Sequence, residues 1–89
     1  MAWTIEFTDA ALRQLEALDN TVAIRISKFL QQRVAPLQNP RSIGQPLKGE
    51  RFGEFWKYRV GDYRLVAKIQ DDRLVIVILR VGHRREIYR

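Results

Sequence analysis

The segment from Glu54 to Leu65, Glu-Phe-Trp-Lys-Tyr-Arg-Val-Gly-Asp-Tyr-Arg-Leu, constrains the fold more than any other part of the chain. Two runs rich in aromatic and β-branched residues flank Gly61-Asp62, and a glycine leading a two-residue loop suits a type II′ turn. The segment therefore reads as a tight antiparallel hairpin. With a two-residue loop, Val60 faces Tyr63, Arg59 faces Arg64, Tyr58 faces Leu65 and Lys57 faces Val66. Side chains alternate along each strand, so Lys57, Arg59 and Arg64 share one face, and Trp56, Tyr58, Val60, Tyr63 and Leu65 share the other.

Like charges opposed across a strand pair cost some tenths of a kcal/mol up to about 1 kcal/mol. A cluster of three cations on a stiff ribbon admits two readings. One is an anion site, with phosphate the first candidate, because guanidinium and ammonium groups suit its oxygens. The other is a wet face that only keeps the protein soluble. Composition bears on the choice. The 89 residues carry a net charge of +6, and the sequence pI is about 10.3. Twelve of the sixteen basic residues are arginine, and from Lys48 onward there are eleven basic and six acidic residues. The excess charge thus lies in the second half, and a polyanion, nucleic acid first, is the expected partner.

A chain of this length suits one domain spanning 1–89 with one modest core. It has no cysteine, a single histidine at His83 and no clustered carboxylates, so neither a disulfide framework nor a metal or other cofactor is expected. The charged and polar amino terminus does not read as a signal peptide, and the longest apolar run, Leu74 to Leu79, is too short to span a bilayer. The expectation is a soluble cytoplasmic protein with no membrane partner.

In chain order, Trp3, Ile5 and Phe7 alternate with polar residues as a first strand. Thr8 and Asp9 mark a helix start, and Ala11, Leu12, Leu15 and Leu18 form its apolar stripe. A second helix starts at Asp19-Asn20, carries Val22, Ile26, Phe29 and Leu30 on one face, and closes at Pro36. Residues 37–53 read as a long connection rich in proline and glycine, with Leu47 as an anchor. The hairpin follows. Its second strand runs on to a turn at Asp71-Asp72, and the almost wholly apolar run from Leu74 to Val81 is expected to be central and covered on both sides. Gly82 should break that strand, leaving His83 to Arg89 as a basic tail. The fold class is α+β: an N-terminal strand and a two-helix hairpin packed on a small antiparallel meander sheet, in the order β-α-α-β-β-β. Antiparallel geometry returns the tail to the level of the Gly61-Asp62 turn, which adds His83, Arg84, Arg85 and Tyr88 to the cations of the hairpin.

Such a constellation suits cleavage of RNA by its own 2′-hydroxyl, which attacks the adjacent phosphate and expels the 5′-oxygen. The enzyme must remove a proton, stabilise the phosphorane and protonate the leaving oxygen. Arginines and a lysine on rigid strands meet the second need. Lys57, crowded by Arg59 and Arg64, and His83 are the residues placed for proton transfer. Beside a phosphate site Tyr88 becomes a platform for stacking a base, although a tyrosine in a polar tail is otherwise a surface aromatic.

The hairpin Trp-Lys-Tyr-Arg-Val-Gly-Asp-Tyr-Arg-Leu at 56 to 65 and the terminal Arg-Val-Gly-His-Arg-Arg-Glu-Ile-Tyr at 80 to 88 together resemble the RelE branch of the RelE/ParE toxin superfamily, over nearly the whole chain. The resemblance implies the toxin of a type II toxin-antitoxin pair: an mRNA interferase that cuts message in the ribosomal A site and is held inactive by a RelB-like antitoxin in a hetero-oligomer. It carries the family's basic active-site positions onto Lys57, Arg59, Arg64 and Arg84, its stacking tyrosine onto Tyr88, and a position often histidine onto His83. Arg85 joins the RNA-binding set. Where described members use a lysine as general base this chain has Arg59, and arginine is a poor proton acceptor; Lys57, His83 or the ribosomal RNA is left to take that role. Two alternatives stand beside this reading: a ParE-like toxin that inhibits gyrase, and a non-catalytic module that binds RNA or the ribosome.

Overall fold

The computed structural model describes residues 2–47 and 55–87. Strand β1 (Thr4–Phe7) leads into helix α1 (Asp9–Glu16), where the Thr8 hydroxyl accepts the Ala11 amide at 3.1 Å and caps the first turn. Helix α2 (Asn20–Phe29) runs on into a π-helical turn over Leu30–Val34, closed by the Ala35 amide on the Leu30 carbonyl at 2.8 Å. Asp19 occupies the cap position of α2, but its side chain makes no capping hydrogen bond. Ala11, Leu15, Ile26, Leu30 and Val34 are buried, as the helical spacing requires, whereas Leu12 lies outward.

The long connection carries more structure than its composition indicated. Asn39 caps a short 3-10 turn, Pro40–Ile43, and Gln45–Pro46 form a two-residue strand, β2. Strands β3 (Phe55–Val60), β4 (Tyr63–Gln70) and β5 (Val75–His83) complete a five-stranded sheet in the order β1-β5-β4-β3-β2. The expected hairpin register is the observed one, with Val60 opposite Tyr63, Arg59 opposite Arg64 and Lys57 opposite Val66. Gly61 takes φ +60 while Asp62 keeps a negative φ, the signature of a type II′ turn.

Two expectations are corrected, and the fold class is borne out and extended. The antiparallel meander is present as β3-β4-β5, and β1 joins it parallel to β5, with Thr4 opposite Val75 and Phe7 opposite Ile78, so the whole sheet is mixed. Alternating burial shows which face a strand buries, but not which way its neighbour runs. Gly82 does not break the last strand; β5 continues through it, with Gly82 opposite Arg64 and His83 opposite Tyr63. Finally, β5 is central but not covered on both sides. Ile76 and Ile78 are buried beneath the helices, while Val77 and Leu79 are only half-buried.

Both helices lie on one face of the sheet. Tyr58, Val60, Leu65, Ala67, Ile69, Ile76, Ile78 and Val81 meet Trp3, Ala11, Leu15, Ile26, Leu30 and Val34 in one core, with Trp56 and Tyr63 partly buried at its margin. Burial of this kind is worth about 25 cal/mol per Å² of apolar surface and is the main source of stability. The opposite, open face carries the residues that alternate with these.

Candidate nucleic-acid interface

The hairpin places Lys57 and Arg59 on β3 and Arg64 on β4 along the open face, with Arg59 directly opposite Arg64. Gln45 on β2 lies opposite Lys57. Gln45, Lys57, Tyr58, Arg59 and Arg64 line a hollow of about 200 Å³. The Arg64 guanidinium is held by the turn itself, its Nη1 donating to the Gly61 carbonyl at 2.9 Å and the Tyr63 carbonyl at 3.0 Å. These acceptors are neutral. They fix the planar group without cancelling its charge and leave other N–H donors of the fork for a ligand.

One side of the hollow is fastened from behind. The buried Tyr58 hydroxyl donates to the Pro40 carbonyl at 2.7 Å, and burial pushes its pKa up to about 12. Arg41 makes a paired contact with Asp71 (Nη1 to Oδ1 3.0 Å, Nη2 to Oδ2 2.6 Å) and lies 5.8 Å from the Trp56 ring centroid. The hydrogen bond to Asp71 raises the Arg41 pKa and lowers that of Asp71. These contacts hold the 3-10 turn, and with it β2, beside Lys57.

The tail returns to the hairpin turn as expected, with the Arg84 amide donating to the Asp62 carbonyl at 2.8 Å. Residues 84–87 then coil back, and the Glu86 and Ile87 amides donate to the His83 carbonyl at 2.8 and 3.1 Å. Ile87, 2% exposed, pins the coil beneath Gly82. Sequence reasoning gave Ile87 no role, and a lone apolar residue among charges was the available signal. Arg84 and Arg85 are exposed, whereas Tyr88 lies outside the described residues.

His83 does not join the cations. It shares the helix-bearing face with Tyr63, ring centroids 5.7 Å apart and edge-on, and its Nδ1 accepts the Arg85 amide at 3.2 Å. The cause is a bulge. Val66 lies opposite Arg80 and Ala67 opposite Ile78, which leaves Leu79 as an extra residue in β5. Two residues of α1 and its cap serve this kink: the Thr8 hydroxyl donates to the Leu79 carbonyl at 3.4 Å, and the Gln14 side-chain oxygen accepts the Val81 amide at 2.7 Å. Strict alternation from Ile76 and Ile78 would send His83 to the open face and Arg80 to the covered one; the bulge exchanges them. Arg80 is thus a cation of the open face that sequence alternation hid.

A second hollow, of about 480 Å³, lies on the covered face between the end of α1 and the tail, bordered by Gln14, Leu18, Tyr63, His83 and Glu86. It is roomier, and Arg80 borders it as well as the open face, but Lys57, Arg59, Arg64, Arg84 and Arg85 do not. Among the described residues no group of three or more His, Asp or Glu side chains could hold a metal ion, and no helix is long and apolar enough to cross a membrane.

Comparison with known proteins identifies the class. A family model described as the ParE toxin of the type II toxin-antitoxin system parDE matches residues 5–88. Toxin RelG of Mycobacterium tuberculosis is 37% identical over 89 residues, covering 100% of this chain and 99% of that protein. The mRNA interferase toxin RelE of Escherichia coli is 32% identical over 90 residues, covering 99% and 92%. Among solved structures, the toxin-antitoxin complex RelBE2 from M. tuberculosis superposes with a TM-score of 0.84 at 31% identity, covering 97% of this chain and 95% of that one. A mutant E. coli toxin RelE in complex with an antitoxin peptide gives 0.74 at 27% identity, covering 93% and 84%. The chain is therefore a toxin of the type II toxin-antitoxin class. It belongs to the RelE/ParE family and is of the RelE type.

Proposed function

We propose that this toxin is a ribosome-dependent endoribonuclease that cuts mRNA in the A site. The observation that carries the reading is the Arg59–Arg64 cross-strand pair with Lys57 over a hollow on the helix-free face, in a chain whose relatives include a protein named an mRNA interferase. In this mechanism the message lies across the open face. A base takes the 2′-hydroxyl proton, O2′ attacks the adjacent phosphorus, and the bond to O5′ breaks as that oxygen gains a proton, leaving a 2′,3′-cyclic phosphate and a 5′-hydroxyl. Arg59 and Arg64 meet the charge that grows on the phosphorane, a contribution of about 3–4 kcal/mol for a preorganised donor. Arg84 serves the leaving oxygen, and Tyr88 stacks a neighbouring base. With His83 on the other face, Lys57 is the base this chain itself supplies; the ribosomal RNA shares the task.

By analogy with the solved complexes, a RelB-like antitoxin binds the chain and holds it inactive in a hetero-oligomer. Action on ribosomes places the toxin in the cytoplasm. Incubation with programmed ribosomes tests the reading. The expected result is message fragments ending in 2′,3′-cyclic phosphate, lost in folded Arg64→Ala and Arg84→Ala variants. An intact message, or rapid cutting of naked RNA, would overturn it. The matched family model carries the ParE name, so a gyrase supercoiling assay belongs beside it; inhibition of gyrase without cleavage of message would move the chain to that branch.

A further inference from the structure

The bulge at Leu79 turns Arg80 onto the open face opposite Val66, and Val66 is flanked on its other side by Lys57. Lys68, two residues beyond Val66 on β4, lies on the same face opposite Phe55. We propose that Arg80 and Lys68 form a second phosphate position, which holds the message one nucleotide away from the phosphate bound at Arg59 and Arg64. The inference rests on the reading of the open face as the RNA site and deepens it.

Geometry supports two positions rather than one diffuse patch. Arg64, Val66 and Lys68 succeed one another on one face of β4 at about 6.6 Å per step, so Arg80, level with Val66, stands one step from Arg64 and Lys68 two, and a phosphate held between them lies about one extended nucleotide step beyond the first. Arg80 is the diagonal neighbour of both Arg64 and Lys68, within about 7–8 Å, a span that long basic side chains bridge. Directly opposite Arg64 stands Gly82, which has no side chain, and the buried Ile87 packs against it, so no charged group of β5 intervenes at that level. Val66, 6% exposed, makes the floor between the two positions apolar.

Electrostatics point the same way. The ion pairs Arg41–Asp71 and Arg73–Glu6 lie elsewhere, and among the described residues no carboxylate pairs with Arg59, Arg64, Lys68 or Arg80. A row of unneutralised cations at regular steps is the arrangement that tracks a nucleic-acid backbone. An acidic segment of a protein partner would need no such continuity with the Arg59–Arg64 pair.

Arg80→Gln, Lys68→Gln and the double variant test this in the full chain. The primary readout is equilibrium binding of a single-stranded RNA oligonucleotide, blocked at its 2′-hydroxyls, across a salt series. Each lost phosphate contact should lower the slope of log K against log salt by about 0.7. Binding of a dinucleotide, which has one phosphate, should not change. On programmed ribosomes the double variant should raise KM about tenfold and leave kcat within about twofold, the pattern of lost uniform binding. An unchanged salt slope, an equal effect on the dinucleotide, or a loss confined to antitoxin affinity would overturn the proposal. If wild-type protein leaves the message intact, the cleavage reading fails by itself, while the salt slope still reports the second contact.

Discussion

Replacing Tyr58 with phenylalanine removes one oxygen from the largest fully buried side chain and leaves its ring in place against Phe29, 6.2 Å away edge-on. The hydroxyl is 1% exposed with its residue and donates to the carbonyl of Pro40, itself buried. The variant therefore loses a hydrogen bond and leaves a buried acceptor without its donor, for a cost of about 1–3 kcal/mol. For a chain of this size each kcal/mol lowers Tm by about 4–8 °C, so a fall of roughly 4–24 °C is expected at neutral pH. A second signature appears in alkali. The unfolded chain releases the tyrosine proton near pH 10.0, whereas burial holds it in the folded protein up to about 12. The stability that Tyr58 contributes is thus whole below pH 10 and is lost as pH rises toward 12, and phenylalanine has no such limb. The gap between the two proteins should narrow by up to about 2 kcal/mol across that window. Thermal unfolding followed by circular dichroism at pH 7 and at steps above pH 9 measures both effects, and the other tyrosines cancel in the comparison. A Tm change under about 2 °C at pH 7, or a gap that stays constant to pH 12, would refute the argument.

Two further outcomes are expected. The Arg41 hydrogen bond holds the Asp71 carboxyl below the usual carboxylate range, so the pair's contribution is present above pH 3.8 and is lost as pH falls through the depressed value in the folded protein; Asp71→Asn should flatten that acid limb in a Tm-against-pH series. His83→Asn keeps an acceptor able to cap the Arg85 amide and should hold cleavage within about tenfold of wild type, whereas loss of a general base would cost about 10²–10⁴-fold in single-turnover rate.

Much of the fold was legible because local chemistry left few choices. The glycine at position 61 and the two-residue loop admit one register, and from that register follows which cations share a face. The Thr8 cap and the leucine and isoleucine spacing marked the helices and their buried stripes. What stayed hidden depended on contacts between distant segments. The parallel pairing of β1 with β5 is set by the hairpin strands that precede β5, which no alternation within β1 records. The turn at Pro40–Ile43 depends on a tyrosine 18 residues later. Most consequential was Leu79. One extra residue, braced by Thr8 and Gln14 from the start of the chain, reverses the facing of everything after it. A period-two reading of β5 therefore puts the histidine among the arginines and Arg80 among the core, the opposite of what the sheet does.

The two ways this chain handles arginine show how the fold and the proposed site divide one sheet. Arg41 is met by a carboxylate at 2.6 Å and an aromatic ring, contacts that neutralise it and fasten a loop. Arg64 is oriented as firmly, but by the carbonyls of Gly61 and Tyr63. A carboxylate in their place would stabilise the folded protein more, because it would relieve the repulsion between Arg59 and Arg64. It would also occupy the fork and compete with phosphate for the same donors. Neutral acceptors orient the guanidinium and leave its charge intact, so the hairpin keeps a standing electrostatic cost of up to about 1 kcal/mol that the core beneath it offsets. That core is contributed by the opposite face of the same strands. Tyr58, Val60 and Leu65 anchor what Arg59 and Arg64 strain, and the alternation of a single hairpin supplies both.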